Sequence, residues 1–582
     1  MSRLRMRQLA GLLWLIVTVG WFVQVVPSWS DGFWRLAASL GVLGFSWVVV
    51  TVFGPRLMEK LKRPLQWLVA REGARLGLTF GLAGLLCVLT SWLVFPEPNW
   101  HDEFSYLLAA DTFSQGRLAN PPHAMWEHLE TFHVLQQPTY VSKYPPAHGF
   151  VLALGQWIGG HPVWGVWLAT ACCAASITWM LNGWVAARWS LLGGLLVALH
   201  PGLLFSWGQN YMGGQIAAIG GALLFGAVPR LRRKLSIRLS LIMTVGIAIL
   251  ANSRPYEGLV TCLPVAGWLI GWAALQLRTS WQPLLLRFLL PTVTGLVLMV
   301  GGMAFYNVRT TGDPLQMPYM RYTQDYNVTP LFFWSPEVAP PDRQLPFVSP
   351  PQVSRPGFWP DRKQKQSIRS SRFYFGFVAI CPALIVPLLV VPGSLWLRGA
   401  TLAMITITGL IIAECLSYSW HPHYLAPALP LFILLVVQGL RVLHGCFQSK
   451  QRTTSGVIPT LLLAQFLLTG LAFAYYPIHH ASAPQDWHSD RAEMLSQLRG
   501  IAGDHLVIVR YAEDHYVHHE WVYNRADIDG AKVVWARELG AAQDKELLRY
   551  FVDRQLWLLH ADESPPRLIP HPDYDTARPK SY

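Results

Sequence analysis

Charge is scarce in this chain. Only 14% of its 582 residues are Asp, Glu, Lys or Arg, against roughly a quarter in soluble globular proteins. An ordinary water-soluble fold is thereby excluded. The seven cysteines, Cys87, Cys172, Cys173, Cys262, Cys381, Cys415 and Cys446, all lie in or beside apolar runs. The long polar stretches therefore have no disulfide framework of their own. No Cys-x-x-Cys pair or zinc spacing occurs, and the polar parts show no internal repeat. Met1-Ser-Arg-Leu-Arg-Met-Arg leads into an apolar run without a small-residue cleavage site, the pattern of a retained first span.

What the chain has instead is long apolar runs. Its 27 Trp suit membrane–water boundaries, and its 42 Pro suit broken helices and re-entrant loops. Stretches long enough to cross a bilayer occur near 9–26, 33–53, 75–95, 162–187, 190–206, 211–228, 238–252, 257–277, 288–306, 373–392, 399–417, 424–441 and 457–476. That makes about thirteen spans by hydropathy reading. The run 147–158 is too short to cross and is expected as a re-entrant or interfacial helix.

The net charge of +13 does not point to nucleic acid, because the basic residues form short clusters between apolar runs. With a cytoplasmic N-terminus, Arg56, Lys60, Lys62, Arg63 and Arg71 fall inside, as do Arg230, Arg232, Arg233 and Lys234, in keeping with the positive-inside rule. Arg362, Lys363, Lys365, Arg369 and Arg372 form the exception, in a long outside loop that translocates regardless of charge.

The expected architecture is an all-α polytopic protein of the inner (cytoplasmic) membrane, its partner the lipid bilayer. Residues 1–74 hold N-terminal spans. Residues 75–480 form a transmembrane core with outer loops 96–146 and 307–372, the latter Pro-rich over 336–362. Residues 485–582 form a small extracytoplasmic α/β domain, with strand-like runs at 506–511, 532–536 and 556–560 and a helical run at 544–553.

Ionisable groups gather at the outer corners. The first loop opens Pro98-Asn-Trp-His-Asp-Glu, which sets His101, Asp102 and Glu103 just beyond a span. Asp102 there can cap a helix over 104–115 or do chemistry, and the sequence leaves both open. The loop closes with Val141-Ser-Lys143-Tyr144-Pro-Pro-Ala-His148, which offers a cation, hydroxyls and a stiff return. Other corners on that side carry Gln209, Asn210 and Tyr211, then Arg254, Tyr256 and Glu257, then His421, His423 and Tyr424. Charged groups at membrane depth are costly and usually face an internal cavity.

An Asp-Glu pair after an early span, a Lys-Tyr-Pro-Pro return, an Arg-Pro corner and a His-Tyr-x-x-Pro corner together resemble the GT-C superfamily of membrane glycosyltransferases. The nearest likeness is to the protein O-mannosyltransferase and lipid A aminoarabinose transferase group, over most of residues 75–445. The resemblance implies a polyprenyl-phosphate sugar donor, an acceptor glycan, lipid or protein, and an inverting transfer on the outer face. It makes Asp102 the base and Glu103 the neighbour that shapes the catalytic site. Lys143 and Arg254, with Tyr144, take the donor phosphate. His101, Asn210, Tyr256, Glu257, His421, His423 and Tyr424 line the cavity. In one departure, the usual Pro-Pro-Gly is Pro145-Pro146-Ala147 here, which bears on the turn after the lysine.

Such a transfer needs one base to relieve the acceptor hydroxyl of its proton and cations to steady the leaving phosphate. It does not need the two opposed carboxylates of glycosidases. A nucleotide-sugar enzyme would want a cytoplasmic metal-binding Asp-x-Asp. The only such triplets, Asp527-Ile-Asp529 and Asp573-Tyr-Asp575, are expected as surface acids in the tail. The tail histidines His479, His480, His488, His505, His515, His518 and His519 match no closed metal pattern and are expected to be exposed. No cofactor follows from the sequence, and a divalent metal is left open. Two other readings stay open: a lipid-diphosphate donor in the same fold, and a transporter or flippase of lipid-linked intermediates. Against the last, polar groups sit at corners rather than midspan and no matching halves occur.

Overall fold

The computed structural model describes residues 29–326, 332, 334, 397, 399–417, 422–448, 457–481 and 486–572. A chain in hydrocarbon must satisfy its backbone internally, so apolar runs become helices. Helices α1 (Trp29–Ala70) and α2 (Glu72–Leu93) lead to α3 (His101–Ser114). The antiparallel ribbon β1 (Val134–Leu135) and β2 (Val141–Ser142) follows, then α4 (Pro146–Gly159). The bundle continues through α5 (Val163–Trp184), α6 (Ala187–Ala198), α7 (Pro201–Phe205), α8 (Gly214–Arg233), α9 (Ile237–Ala251) and α10 (Pro255–Leu284). It ends with α11 (Leu290–Thr311), α12 (Pro318–Tyr326), α13 (Ala400–Leu416), α14 (Leu429–Gln448) and α15 (Val457–Ala481).

Among the described residues, seven helical stretches are long and apolar enough to cross a membrane, and α9 and α13 are shorter apolar helices. The chain is an integral membrane protein. One stretch, Pro255–Thr311, covers 57 residues and reverses within itself. Ser280 leaves helical geometry (φ −147, ψ 44), and the rings of Trp272 and Phe288 lie 5.8 Å apart. Sixteen residues of straight helix would separate them by about 24 Å. The two spans expected at 257–277 and 288–306 thus occupy the two arms. The spans expected at 9–26 and 373–392, and most of loop 307–372 with its basic cluster, lie outside the described residues.

Lipid gives helices no hydrophobic reason to associate, so close packing of small residues does the work. A Cβ on Gly246 of α9 would sit 2.8 Å from the Gly220 carbonyl oxygen of α8. A Cβ on Gly155 of α4 would sit 2.0 Å from the backbone nitrogen of Gly165 on α5, and one on Gly149 would sit 2.8 Å from Cβ of Ala109 on α3. Helix α4 is therefore pressed between α3 and α5. The short run expected at 147–158 is this helix, opened by Pro146 in its first turn and closed at Gly160 with φ +76, as helix-end chemistry favours.

The tail folds as α16 (Trp487–Gly500), β3 (His505–Arg510), β4 (Val533–Arg537), α17 (Ala541–Tyr550), β5 (Gln555–His560) and β6 (Arg567–Pro570). The sheet order is β4-β3-β5-β6, with β3 parallel to both neighbours and β6 antiparallel to β5. Alternate residues of β3 serve opposite faces. Val507 and Val509 pack with Leu498, Trp521 and Trp535. Leu506 and Ile508 pack with Leu547 and Phe551, and the same cluster contains Leu108 of α3 and Leu129, Val134 and Tyr140 of the first long loop. One face of the sheet is thus cored together with the loop that carries Asp102 and Lys143.

Candidate active site

Asp102 lies in the first turn of α3, whose N-cap is Trp100. The capping role open to it in the sequence is not the one it takes. Its Oδ1 accepts a hydrogen bond from the Tyr144 hydroxyl and lies 3.0 Å from His133 Nε2. Among the described residues none hydrogen-bonds Oδ2, and the side chain is 29% exposed. Burial pushes the Asp102 carboxyl up, but His133, Lys143 and Tyr144 together outweigh it and hold it well below the usual range. The group is an ionised carboxylate with one oxygen tied and one open.

The ribbon supplies the opposite wall. Its register pairs Val134 with Ser142, and Lys143 N–H donates to the His133 carbonyl at 3.1 Å. His133 and Lys143 therefore face each other across the ribbon end. The Lys143 ammonium is buried among the rings of Tyr144, Tyr319 and Tyr322, at 5.1, 5.2 and 4.6 Å. Among the described residues no hydrogen bond or ion pair takes it up. Burial pushes it down to about 8, against the pull of Asp102.

Arg254 stands at the corner between α9 and α10, followed by Pro255 in the first helical turn. Its guanidinium lies 5.0 Å over the Tyr424 ring, and among the described residues no ion pair or side-chain hydrogen bond takes it up. It interacts electrostatically with Tyr106, Glu257, Tyr424 and Tyr144. Tyr106 interacts with both Arg254 and Asp102 and stacks on Tyr144 at 4.5 Å. Asp102, Lys143 and Arg254 are thus linked through one group of tyrosines. A narrow cleft of about 10 Å³ opens beside Lys143, lined by Pro145, Asn252, Met303, Asn307 and Tyr319 among others.

The Pro-Pro-Ala departure proves harmless. Pro145 is extended (φ −58, ψ 148) and Ala147 is already helical, so the turn needs no glycine. The Ala147 N–H donates to the Asn252 carbonyl at 2.9 Å and ties the lysine segment to the arginine corner.

Other expected residues have different tasks. Glu103 is fully buried and accepts from the backbone amides of Tyr211 at 3.0 Å and Asn99 at 3.4 Å. It shapes the loop and presents no oxygen to the cavity. Asn210 closes a local turn onto the Met212 amide, and Tyr256 donates to the Ala413 carbonyl at 2.9 Å. His423 stacks edge-on against Tyr424, and Tyr424 interacts with Arg254, Glu257 and Asp102. His421 lies outside the described residues. His101, expected in the cavity, turns to the tail instead. Its Nδ1 is 2.6 Å from the Tyr523 hydroxyl, its Nε2 is 3.2 Å from His518 Nδ1, and its ring stacks on Phe132 at 4.4 Å.

Nor are the tail histidines simply exposed, for His505 is wholly buried. Asp527 and Asp529 are exposed as expected, while Asp573 and Asp575 lie outside the described residues. No group of three or more His, Cys, Asp or Glu among the described residues is arranged to hold a metal.

The sequence reading missed His133, whose role depends on the ribbon, and the tyrosines around Lys143. Tyr319, Tyr322 and Tyr326 recur at helical spacing, a visible signal that α12 presents one aromatic face.

No protein-family profile and no curated protein matches the chain. Its fold, however, is similar to that of ArnT from Cupriavidus metallidurans in the apo state, with a TM-score of 0.50 at 12% identity over 83% of this chain and 92% of that one. The fold is GT-C. The same ArnT solved bound to undecaprenyl phosphate aligns at TM-score 0.49 and 14% identity, over 77% of this chain and 84% of that chain. The apo oligosaccharyltransferase of Archaeoglobus fulgidus aligns at 0.41 and 10%, over 77% and 63%. In this chain the segment between α2 and α4 carries Asp102, and the corner before α10 carries Arg254.

Proposed function

We propose that this protein is a glycosyltransferase that moves a sugar from a polyprenyl-phosphate donor to an acceptor on the extracytoplasmic face, with inversion. One observation carries the reading: among the described residues neither Lys143 nor Arg254 is taken up by an ion pair, and both cations are joined through shared tyrosines to the Asp102 carboxylate. Buried charge without a close counter-ion is expensive, and the phosphodiester anion of the donor, or the monoester left after transfer, would lower that cost between the two cations. ArnT, whose fold the chain shares, has been solved with undecaprenyl phosphate. The apolar helices give such a lipid tail a place to lie.

In this mechanism the acceptor hydroxyl gives its proton to Asp102 Oδ2 as its oxygen attacks the anomeric carbon. The bond to phosphate breaks with its electron pair on the phosphate oxygen, steadied by Lys143 and Arg254. Glu257 and Tyr424 hold Arg254 in place. Residues 75–480 act as the membrane catalytic core and 485–582 as the domain that buttresses it. The chain sits in the inner membrane with its N-terminus cytoplasmic.

The test uses the full protein in nanodiscs with a panel of synthetic polyprenyl-phosphate hexoses and pentoses and envelope extract as acceptor source. Sugar should leave the lipid with wild-type protein and not with Asp102→Asn. Undecaprenyl phosphate that binds Lys143→Met/Arg254→Ala as tightly as wild type would sink the donor assignment.

A further inference from the structure

His133 is the one residue outside glycine with a positive φ among the described residues, at +64. Few residues other than glycine adopt that conformation, histidine more often than most, and it persists where the surroundings over-determine it. Here they do. The His133 N–H donates to the Tyr322 hydroxyl at 3.0 Å. Its carbonyl accepts from Ser105 Oγ at 2.6 Å and from the Lys143 N–H at 3.1 Å. Ser105 stands three residues beyond Asp102 on α3, so the helix that bears the acid also pins the backbone of its partner. The side chain ends with Nε2 3.0 Å from Asp102 Oδ1. A glycine or asparagine would hold this turn with less strain. What histidine adds at this place is its ring.

The tautomer follows from the bond. A neutral imidazole facing an ionised carboxylate must present N–H, which puts the proton on Nε2 and leaves Nδ1 bare. His133 Nδ1 is buried without a hydrogen-bond partner, as that assignment requires. Burial, then the Lys143 charge, pushes the imidazole down to about 4, so it is neutral near pH 7. The groups facing this pair are Lys143 and Tyr144 from the ribbon end, with Tyr106 and His101 from α3. Tyr319 and Tyr322 face it from α12, Tyr424 from before α14, and His518 from the tail. Among these Lys143 is the only residue cationic at neutral pH.

We propose that His133 is a positioning residue: it donates Nε2–H to Asp102 Oδ1, keeps that carboxylate ionised, and turns Oδ2 toward the acceptor hydroxyl. The inference rests on the reading of Asp102 as the base. During transfer the acceptor proton goes to Oδ2, and His133 keeps its own proton throughout. Losing the imidazole removes a donor that stabilises the charged form, so the Asp102 carboxyl binds protons more tightly and protonates at higher pH.

Two substitutions separate the ring from the backbone. His133→Gly relieves the positive φ but deletes the donor, whereas His133→Gln keeps the strain and sets an amide N–H near the place of Nε2. An infrared difference titration of Asp102 in nanodiscs, with Asp102→Asn as the reference, needs no substrate. His133→Gly should raise the Asp102 titration by about one unit or more, a tenfold change in proton affinity, while His133→Gln stays near wild type. On whichever synthetic donor turns over, kcat should fall by about one to two orders of magnitude in His133→Gly, part of the general-base contribution. Undecaprenyl phosphate binding should hold, and the acid limb of kcat should move to higher pH. An unchanged infrared titration in His133→Gly overturns the inference, as does full activity with an unmoved acid limb. Should Asp102→Asn itself stay active, the base reading fails instead, and the infrared result still decides what His133 does.

Discussion

Arg525 of the tail grips Asp111 of α3, with Nη2 2.6 Å from Oδ1 and Nε 3.2 Å from Oδ2. The Ala526 N–H adds a third bond to the same carboxylate at 2.9 Å. This is the charged part of the joint between the α/β unit and the helix that bears the candidate base.

Asp111→Ala should therefore loosen that joint by about 1–3 kcal/mol, since it strands a buried backbone N–H and frees a guanidinium. Burial pushes the Asp111 carboxyl up, and Arg525 with Ala526 outweighs it and holds the group below its ordinary value. A lowered native value means the stabilisation is present above about pH 4 and is lost as pH falls through the folded value. Thermal melts from pH 6 to pH 2 should show this slope in wild type and a weaker one in Asp111→Asn. Identical slopes would refute the assignment.

Lys143 gives a dependence at the other end of the scale. Its charged form is needed for phosphate, and burial sets its proton loss near 8. Affinity for undecaprenyl phosphate should fall as pH rises through that value. Lys143→Arg, which stays charged, should flatten the dependence. Lys143→Met should cost about tenfold to a hundredfold in affinity at pH 7, the worth of one charge-assisted contact.

Glu103 should prove structural. Burial, with Asp102 adding to it, pushes its carboxyl up to about 8 against the pull of the Tyr211 and Asn99 amides. Near neutrality it is mostly protonated, and glutamine is a close substitute. Glu103→Ala should cost about 1–3 kcal/mol by stranding the Tyr211 N–H, and Glu103→Gln clearly less, as measured by thermal melts. Because the native value is raised, the stability Glu103 contributes is greatest at acid pH and declines as pH climbs toward 8. A loss of turnover in Glu103→Gln as deep as in Asp102→Asn would restore it to a catalytic role.

At Gly155 any side chain meets the Gly165 backbone. Gly155→Val should destabilise by about 1–3 kcal/mol through overpacking, and it should weaken phosphate binding because α4 carries the Lys143 return. Binding measurements on the detergent-stable fraction would expose an error here.

Those spans that fall on described apolar helices were legible because hydrocarbon leaves an apolar run few choices. Three of the four tail strands were legible because short aliphatic runs recur between turns, and β6 was not read. Asp102, Lys143 and Arg254 were legible as ionisable groups at span ends. His133 was not, because its meaning lies in a backbone conformation and a ribbon register. The cage around Lys143 joins segments near residues 143 and 322, and no local pattern announces such a meeting. The hydrogen bonds of His101 were illegible for a similar reason. Its partners, Tyr523 and His518, come from the far end of the chain.

The shared core of Leu506, Ile508, Leu108 and Val134 has a bearing on biogenesis. Segments in the first quarter of the chain lack part of their packing until the strands near its end have been synthesised and have docked. The surroundings of the candidate site are therefore finished last, and a nascent or truncated copy would display greasy surface where the mature protein has a seam.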